Sequence, residues 1–232
     1  MRRWLTLHPD TPAQTVVVLA AGLVVLVAIG DLLGHLITGP FSNWVYHDLD
    51  IPARNFSTDH SSGHLIRVAG WVGTFGNVVL TGVVAVAVGW VWWLRTRDLR
   101  PALCLVSAFA GAGVLTIVVK YAVNRTPASG PLPSFSAGTF PSGHELFAVT
   151  VYGTLAVLAV LSDGPWPLRW PLAVPLALLA AGVGLARVYL LDHFLSDVVG
   201  SVVLGAAWIA IVSKFLVSQR IHGSQTSTRM RS

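Results

Sequence analysis

Charge is scarce in this chain. Only 11% of its 232 residues are Asp, Glu, Lys or Arg, against 54% from the hydrophobic set, and the mean hydropathy is +0.69. A soluble domain of this length needs more polar surface than that composition supplies, so a water-surrounded globule is excluded. Cysteine is almost missing as well. The single Cys104 excludes an intrachain disulfide and a cysteine-rich zinc site, and says nothing about redox compartment. The basic segments are short and lack interleaved aromatic residues, which argues against nucleic acid as a partner. No repeat of fixed period is visible. The only low-complexity stretch is the polar tail 223–232, expected to be disordered.

What the chain has instead is long apolar runs. A helix needs about 20 apolar residues to cross a bilayer, and six candidates stand at roughly 15–38, 68–94, 101–120, 142–161, 171–190 and 195–217. The expected fold is all-α: one polytopic domain over 1–222, six transmembrane helices in a bundle, with the lipid bilayer as its solvent. The first run follows Met1-Arg2-Arg3, but no small-x-small cleavage site follows its apolar core, so it reads as a retained helix rather than a leader. Cytoplasmic loops are enriched in Lys and Arg. With the N-terminus inside, ten of the fifteen basic residues fall inside and five (Arg54, Arg67, Lys120, Arg125 and Arg187) outside. Both termini are therefore expected in the cytoplasm, and the net charge of +5 follows from topology.

The inside connections "RTRDLR" and "SDGPWPLRW" are short turns. Two outside connections, about 39–67 and 121–141, are longer than a helix hairpin needs. In the first, "PFSNWVYHDLD" carries Trp44 and Tyr46, which suit the headgroup region and predict a short interfacial helix. That helix is either an anchor or the lining of a lipid entry gate.

Ionisable groups cost a few kcal/mol each if left unpaired at membrane depth, so their positions carry information. Lys120 is expected to close the third span, "FPSGHE" (140–145) to open the fourth, Arg187 to close the fifth, and His193 with Asp197 to open the sixth. All fall at the outer face. This set suits an oxyanion. Lys120, Arg125 and Arg187 are cations able to stabilise the charge of a phosphoryl group in its transition state. The helix N-terminus at Ser142 adds free N–H groups, and Gly143 lets backbone approach a ligand. His193 and Asp197, four apart, would share a helix face, the carboxylate holding the imidazole in one tautomer so that His193 can attack phosphorus. His144 is placed to protonate the leaving oxygen. Asp192, adjacent to His193, is expected to point elsewhere.

Three segments, "KYAVNRTP" (120–127), "PSGH" (141–144) and "ARVYLLDHFLSD" (186–197), together resemble the signature motifs of the type 2 phosphatidic acid phosphatase superfamily, in that family's order. The family patterns are K-x6-R-P, P-S-G-H and S-R-x5-H-x3-D, and the spacing from Arg187 through His193 to Asp197 matches the third. The resemblance runs from about the third helix to the sixth. It implies a phosphohistidine intermediate on His193, support from Asp197, and a general acid in His144. Lys120, Ser142, Gly143 and Arg187 would hold the phosphate, with no metal and no cofactor. Two positions depart from the pattern: Pro127 stands where the family has arginine, which leaves Arg125 as the nearest candidate, and Ala186 replaces a serine.

Plainer readings stand beside these. Ser142 with Glu145 forms a capping box, and Lys120, Arg125 and Arg187 could snorkel to headgroups. His193 and Asp197 could be a buried polar pair or half of a metal site. "SSGH" (61–64) imitates the second motif without its proline and out of order, so His60 and His64 read as a solvated loop. Asp31 and His35 read as an interfacial pair. The sequence thus points to a lipid phosphate or diphosphate phosphatase of the cell membrane, with its site on the extracytoplasmic side. The candidate substrates are phosphatidylglycerophosphate, phosphatidate and undecaprenyl diphosphate. The alternatives are a catalytically impaired lipid-phosphate binding or transport protein, and a metal-dependent membrane hydrolase.

Overall fold

The computed structural model describes residues 12–126, 138–162 and 166–217, and the regular structure among them is entirely helical. The expected disordered tail 223–232 and the departure at Pro127 lie outside the described residues. Among the described residues, six helices are long and apolar enough to cross a membrane: Ala13–Thr38, Val78–Thr96, Arg100–Val123, Gly143–Leu161, Pro167–Tyr189 and Leu195–Lys214.

In chain order, α1 (Pro12–Thr38) leads into α2 (Ser42–Trp44), a π-helical turn (Val45–Asp50) and α3 (Ile51–Asp59). Then come α4 (Gly63–Thr74), α5 (Val78–Thr96), α6 (Arg100–Val123), α7 (Gly143–Leu161), α8 (Trp166–Tyr189) and α9 (Leu195–Val217). Helix α7 is the hub, packed against α5, α6, α8 and α9, while α1 leans on α6 and α9 from outside. Burial follows this order: Leu146, Ala148 and Val151 of α7 are sealed, whereas Val16, Val17, Val24 and Val25 of α1 are exposed, as lipid-facing residues should be.

Apolar surface gives little drive for association inside a bilayer, so membrane helices meet through small residues. Gly111 of α6 lies flat against the Trp208 indole of α9; a Cβ on it would come within 2.2 Å of the ring. The same indole donates its N–H to the Ser107 carbonyl at 3.0 Å. Gly34 of α1 meets Val123 of α6 as closely.

The expected span 68–94 is two helices rather than one. The chain breaks at residues 75–77, where Asn77 caps α5 by accepting from Val79 N at 2.8 Å. The Tyr152 hydroxyl donates to the Phe75 carbonyl at 2.8 Å. These two side chains satisfy backbone groups that the break exposes. Helix α4 then packs on α8. Other boundaries move less. Helix α6 continues to Val123 and stops at Asn124, which takes a left-handed φ of 45°, so Lys120 sits one turn inside the end instead of closing it. Helix α8 begins at Trp166, five residues early, and carries Pro171 and Pro175 internally. A short helix stands at Trp44, where an interfacial one was expected, and it extends through the π-helical turn into α3.

Candidate active site

One end of the bundle collects the C-terminal ends of α6 and α8, the N-terminal ends of α7 and α9, and the interfacial segment 42–59. Helix α8 closes through a tight turn in which Leu191 adopts φ 60°. The Arg187 carbonyl accepts from both Asp192 N (3.1 Å) and His193 N (3.3 Å). His193 therefore precedes α9 and does not lie on it. The expected pairing with Asp197 is found, His193 Nδ1 to Asp197 Oδ2 at 3.4 Å, but turn geometry delivers it and not a shared helix face. Asp197 is the third residue of α9, and its Oδ2 also accepts from Phe194 N at 3.1 Å, one half of a capping box. Asp192, expected to point away, forms an ion pair with Arg187 at 3.1 Å and so belongs to the site.

At the start of α7, Ser142 does not act as a capping box. Its N–H donates to the Asp197 carbonyl at 3.4 Å, its side chain makes no capping bond, and its buried Oγ has no partner among the described residues. Ser201 Oγ stitches the two helix starts together, bridging the carbonyls of Ser142 (3.1 Å) and Asp197 (2.8 Å). Gly143 packs on α6: a Cβ there would lie 3.1 Å from Thr116 Cγ2. His144 is in Coulombic reach of Arg187, His193 and Lys120, and Lys120 of Asp197 and Arg187. The two histidines and two of the three expected cations thus share one neighbourhood. Arg187 Nε, like the Ser142 hydroxyl, is buried without a partner among the described residues.

Arg125 is placed differently. Its Nη1 donates to Asp197 Oδ1 and to Ser196 Oγ (2.7 Å), and its Nη2 to Asp50 Oδ2 at 2.7 Å. Asp50, within the stretch read as an anchor or a gate, is 1% exposed and was not among the residues singled out from the sequence. Its signal there was only an acid in a long outer loop. Ala186 is buried beside Arg187. The imitation motif at 61–64 serves local structure: Ser62 caps α4, accepting from Leu65 N at 3.2 Å, and His60 Nδ1 meets the Phe56 carbonyl at 3.0 Å. Asp31 and His35 form an exposed pair at 3.3 Å.

Fold and site together define a multi-pass helical membrane protein with a histidine- and cation-lined site at one end of its bundle. The family model of the PAP2 superfamily matches residues 101–221. The chain is 31% identical over 142 residues to phosphatidylglycerophosphatase B of Bacillus subtilis (strain 168), covering 60% of this chain and 68% of that protein. The crystal structure described as the first transmembrane PAP2 type phosphatidylglycerolphosphate phosphatase from Bacillus subtilis is similar in fold, with a TM-score of 0.68 at 24% identity, over 84% of this chain and 95% of that one. The chain belongs to the PAP2 superfamily, as the three motifs implied, and is a membrane phosphatase of that family.

Proposed function

We propose that the protein hydrolyses a lipid phosphate at the extracytoplasmic face through a phosphohistidine intermediate, without a metal. Phosphatidylglycerophosphate is the first candidate substrate, since the similar Bacillus protein is a phosphatidylglycerophosphatase. The observation that carries the reading is that His144, His193, Lys120 and Arg187 share one electrostatic neighbourhood at the start of α7, where the buried Ser142 hydroxyl has no partner among the described residues. With Nδ1 of His193 facing Asp197, Nε2 is the nitrogen that attacks phosphorus. The bond between phosphorus and the ester oxygen breaks, and His144 gives its proton to the leaving alkoxide. His144 then takes a proton from water, whose oxygen attacks phosphorus; the P–N bond breaks and inorganic phosphate leaves. Lys120, Arg187, Ser142 Oγ and the α7 N-terminus with Gly143 hold the equatorial oxygens.

An apolar groove of about 480 Å³ between α3, α4 and α8 supports a lipid substrate. Phe56, Leu65, Val72, Leu185 and Leu195 line it, together with Ala186, the neighbour of Arg187. A tail lying there would bring its headgroup to the cations.

The test is release of inorganic phosphate by purified protein from a panel of lipid phosphates and diphosphates in detergent. Wild type should turn over at least one of them, retain activity in chelator and be blocked by vanadate; His193→Ala should fold and be inert. Full activity of His193→Ala would remove the nucleophile. Loss of activity with chelator, restored by zinc or magnesium, would favour a metal-dependent hydrolase. Binding of lipid phosphates without release would favour a transport or binding role.

A further inference from the structure

Behind the His193–Asp197 pair lies a second layer of charge. Asp50 is contributed by the interfacial π-helical turn, and its buried carboxylate accepts three hydrogen bonds. Oδ2 takes Arg125 Nη2 at 2.7 Å and Ser196 Oγ at 2.8 Å, and Oδ1 takes Ser196 N at 2.9 Å. Arg125 is thus forked between two acids, Asp50 on one side and Asp197 on the other, with both terminal nitrogens committed. Its guanidinium carbon also lies 4.5 Å from the centre of the Phe194 ring. Tyr46, one turn before Asp50, meets that ring edge-on with centroids 6.1 Å apart. The guanidinium is therefore fixed in plane by carboxylates and in depth by an aromatic face.

A capping role alone does not account for this. One carboxylate oxygen on Ser196 N would satisfy the start of α9, yet the other oxygen holds both Arg125 and the Ser196 hydroxyl. The chain of contacts runs from Asp50 through Arg125 to Asp197 Oδ1, and Asp197 presents its remaining oxygen to His193. Removing Asp50 would leave the Arg125 guanidinium held by Asp197, the Ser196 hydroxyl and the Phe194 ring but without its second acid, which loosens the fork that orients Asp197 Oδ1. A phosphate at Arg125 would instead have to displace two carboxylates from a guanidinium that is 9% exposed.

We infer that Asp50 and Arg125 are positioning residues: Asp50 orients the Arg125 fork, and Arg125 holds Asp197 so that His193 is aligned for attack. The inference rests on the phosphohistidine reading above, and it moves Arg125 from the phosphate-holding set to the support of the nucleophile. The signature is a loss of turnover without a loss of binding.

The experiment measures kcat and KM on phosphatidylglycerophosphate, or the best substrate of the panel, for Asp50→Asn, Arg125→Gln and the double variant. Thermal unfolding in the same detergent is followed alongside. Each single variant should lower kcat about ten- to hundredfold with KM within about threefold, and the double variant should fall no further than the worse single one, as residues acting as a unit do. If Asp50→Asn does not fold, Ser196→Ala, which keeps both charges and removes the hydroxyl that bridges Asp50 and Arg125, should show the same kcat-only loss. Wild-type kcat in Asp50→Asn, or in Ser196→Ala where that variant stands in, overturns the inference. So does a rise in KM at constant kcat for Arg125→Gln, which would return that residue to the phosphate, or a product of independent losses in the double variant. Inactivity of the wild type on the whole panel would instead strike the proposed function.

Discussion

A buried hydroxyl that bonds to nothing is uncommon, because burying one without a partner costs roughly 1–3 kcal/mol. Ser142 Oγ is in that position at the head of α7, and the proposed phosphate would supply the missing acceptor. Two effects of Ser142→Ala then separate. An ordinary N-cap serine costs about 1 kcal/mol of stability when truncated, but this one makes no capping bond, so the melting temperature in detergent should barely move. A hydrogen bond to a charged group is worth about 1.5–3 kcal/mol, so kcat/KM on the lipid phosphate should fall roughly ten- to hundredfold. The opposite pattern, lost stability with intact catalysis, would return Ser142 to a purely structural role. The motif residues were legible because their local spacing is fixed: Arg187, His193 and Asp197 come from one short stretch, the end of α8, the turn after it and the start of α9. Asp50 was not, since its partners lie 75 and 146 residues away and no local pattern marks a contact of that range.

At the scale of helices, hydropathy located the six crossings because the bilayer demands long apolar runs. It did not find the interruption between α4 and α5. "GTFGN" carries no charge or proline, and the groups that satisfy the break come partly from Tyr152 on another helix. The capping box at Ser142 failed for a related reason. Glu145 is buried in the bundle against Gly184, and the Ser142 N–H is drawn to Asp197 of α9, so tertiary packing overrode a local pairing. Small-residue contacts set how closely the helices approach, which yields a stability prediction. Gly111→Val drives a side chain into the Trp208 ring and should cost about 1–3 kcal/mol by overpacking, read as a lowered melting temperature in detergent. Gly70→Ala on α4, where an added Cβ meets nothing within 4 Å, should be neutral or stabilising by up to about 1 kcal/mol. Equal melting of the two variants would refute this account of the α6–α9 seam.

For the molecule as a whole, the prediction concerns which side of the membrane holds the site. The balance of Lys and Arg is the ground for proposing the outer side. Cys104 is fully buried, so an introduced thiol can be read without background. Ser61→Cys, in the exposed connection between α3 and α4, should react with a membrane-impermeant maleimide in intact cells. Thr96→Cys, exposed at the far end of α5, should react only after permeabilisation. The reverse pattern would turn the protein over and put hydrolysis in the cytoplasm. Sidedness also decides where the products go, since the dephosphorylated lipid stays in the leaflet while phosphate leaves into the adjoining water.

The shared acceptor at the end of α8 has a mechanical corollary. Because one peptide oxygen, that of Arg187, anchors the turn leading to His193, the guanidinium proposed to hold the phosphate and the ring proposed to attack it are tied to a common point. A ligand that shifts the end of α8 would on this reading shift His193 with it, so an inhibitor could act on that joint without touching the ring.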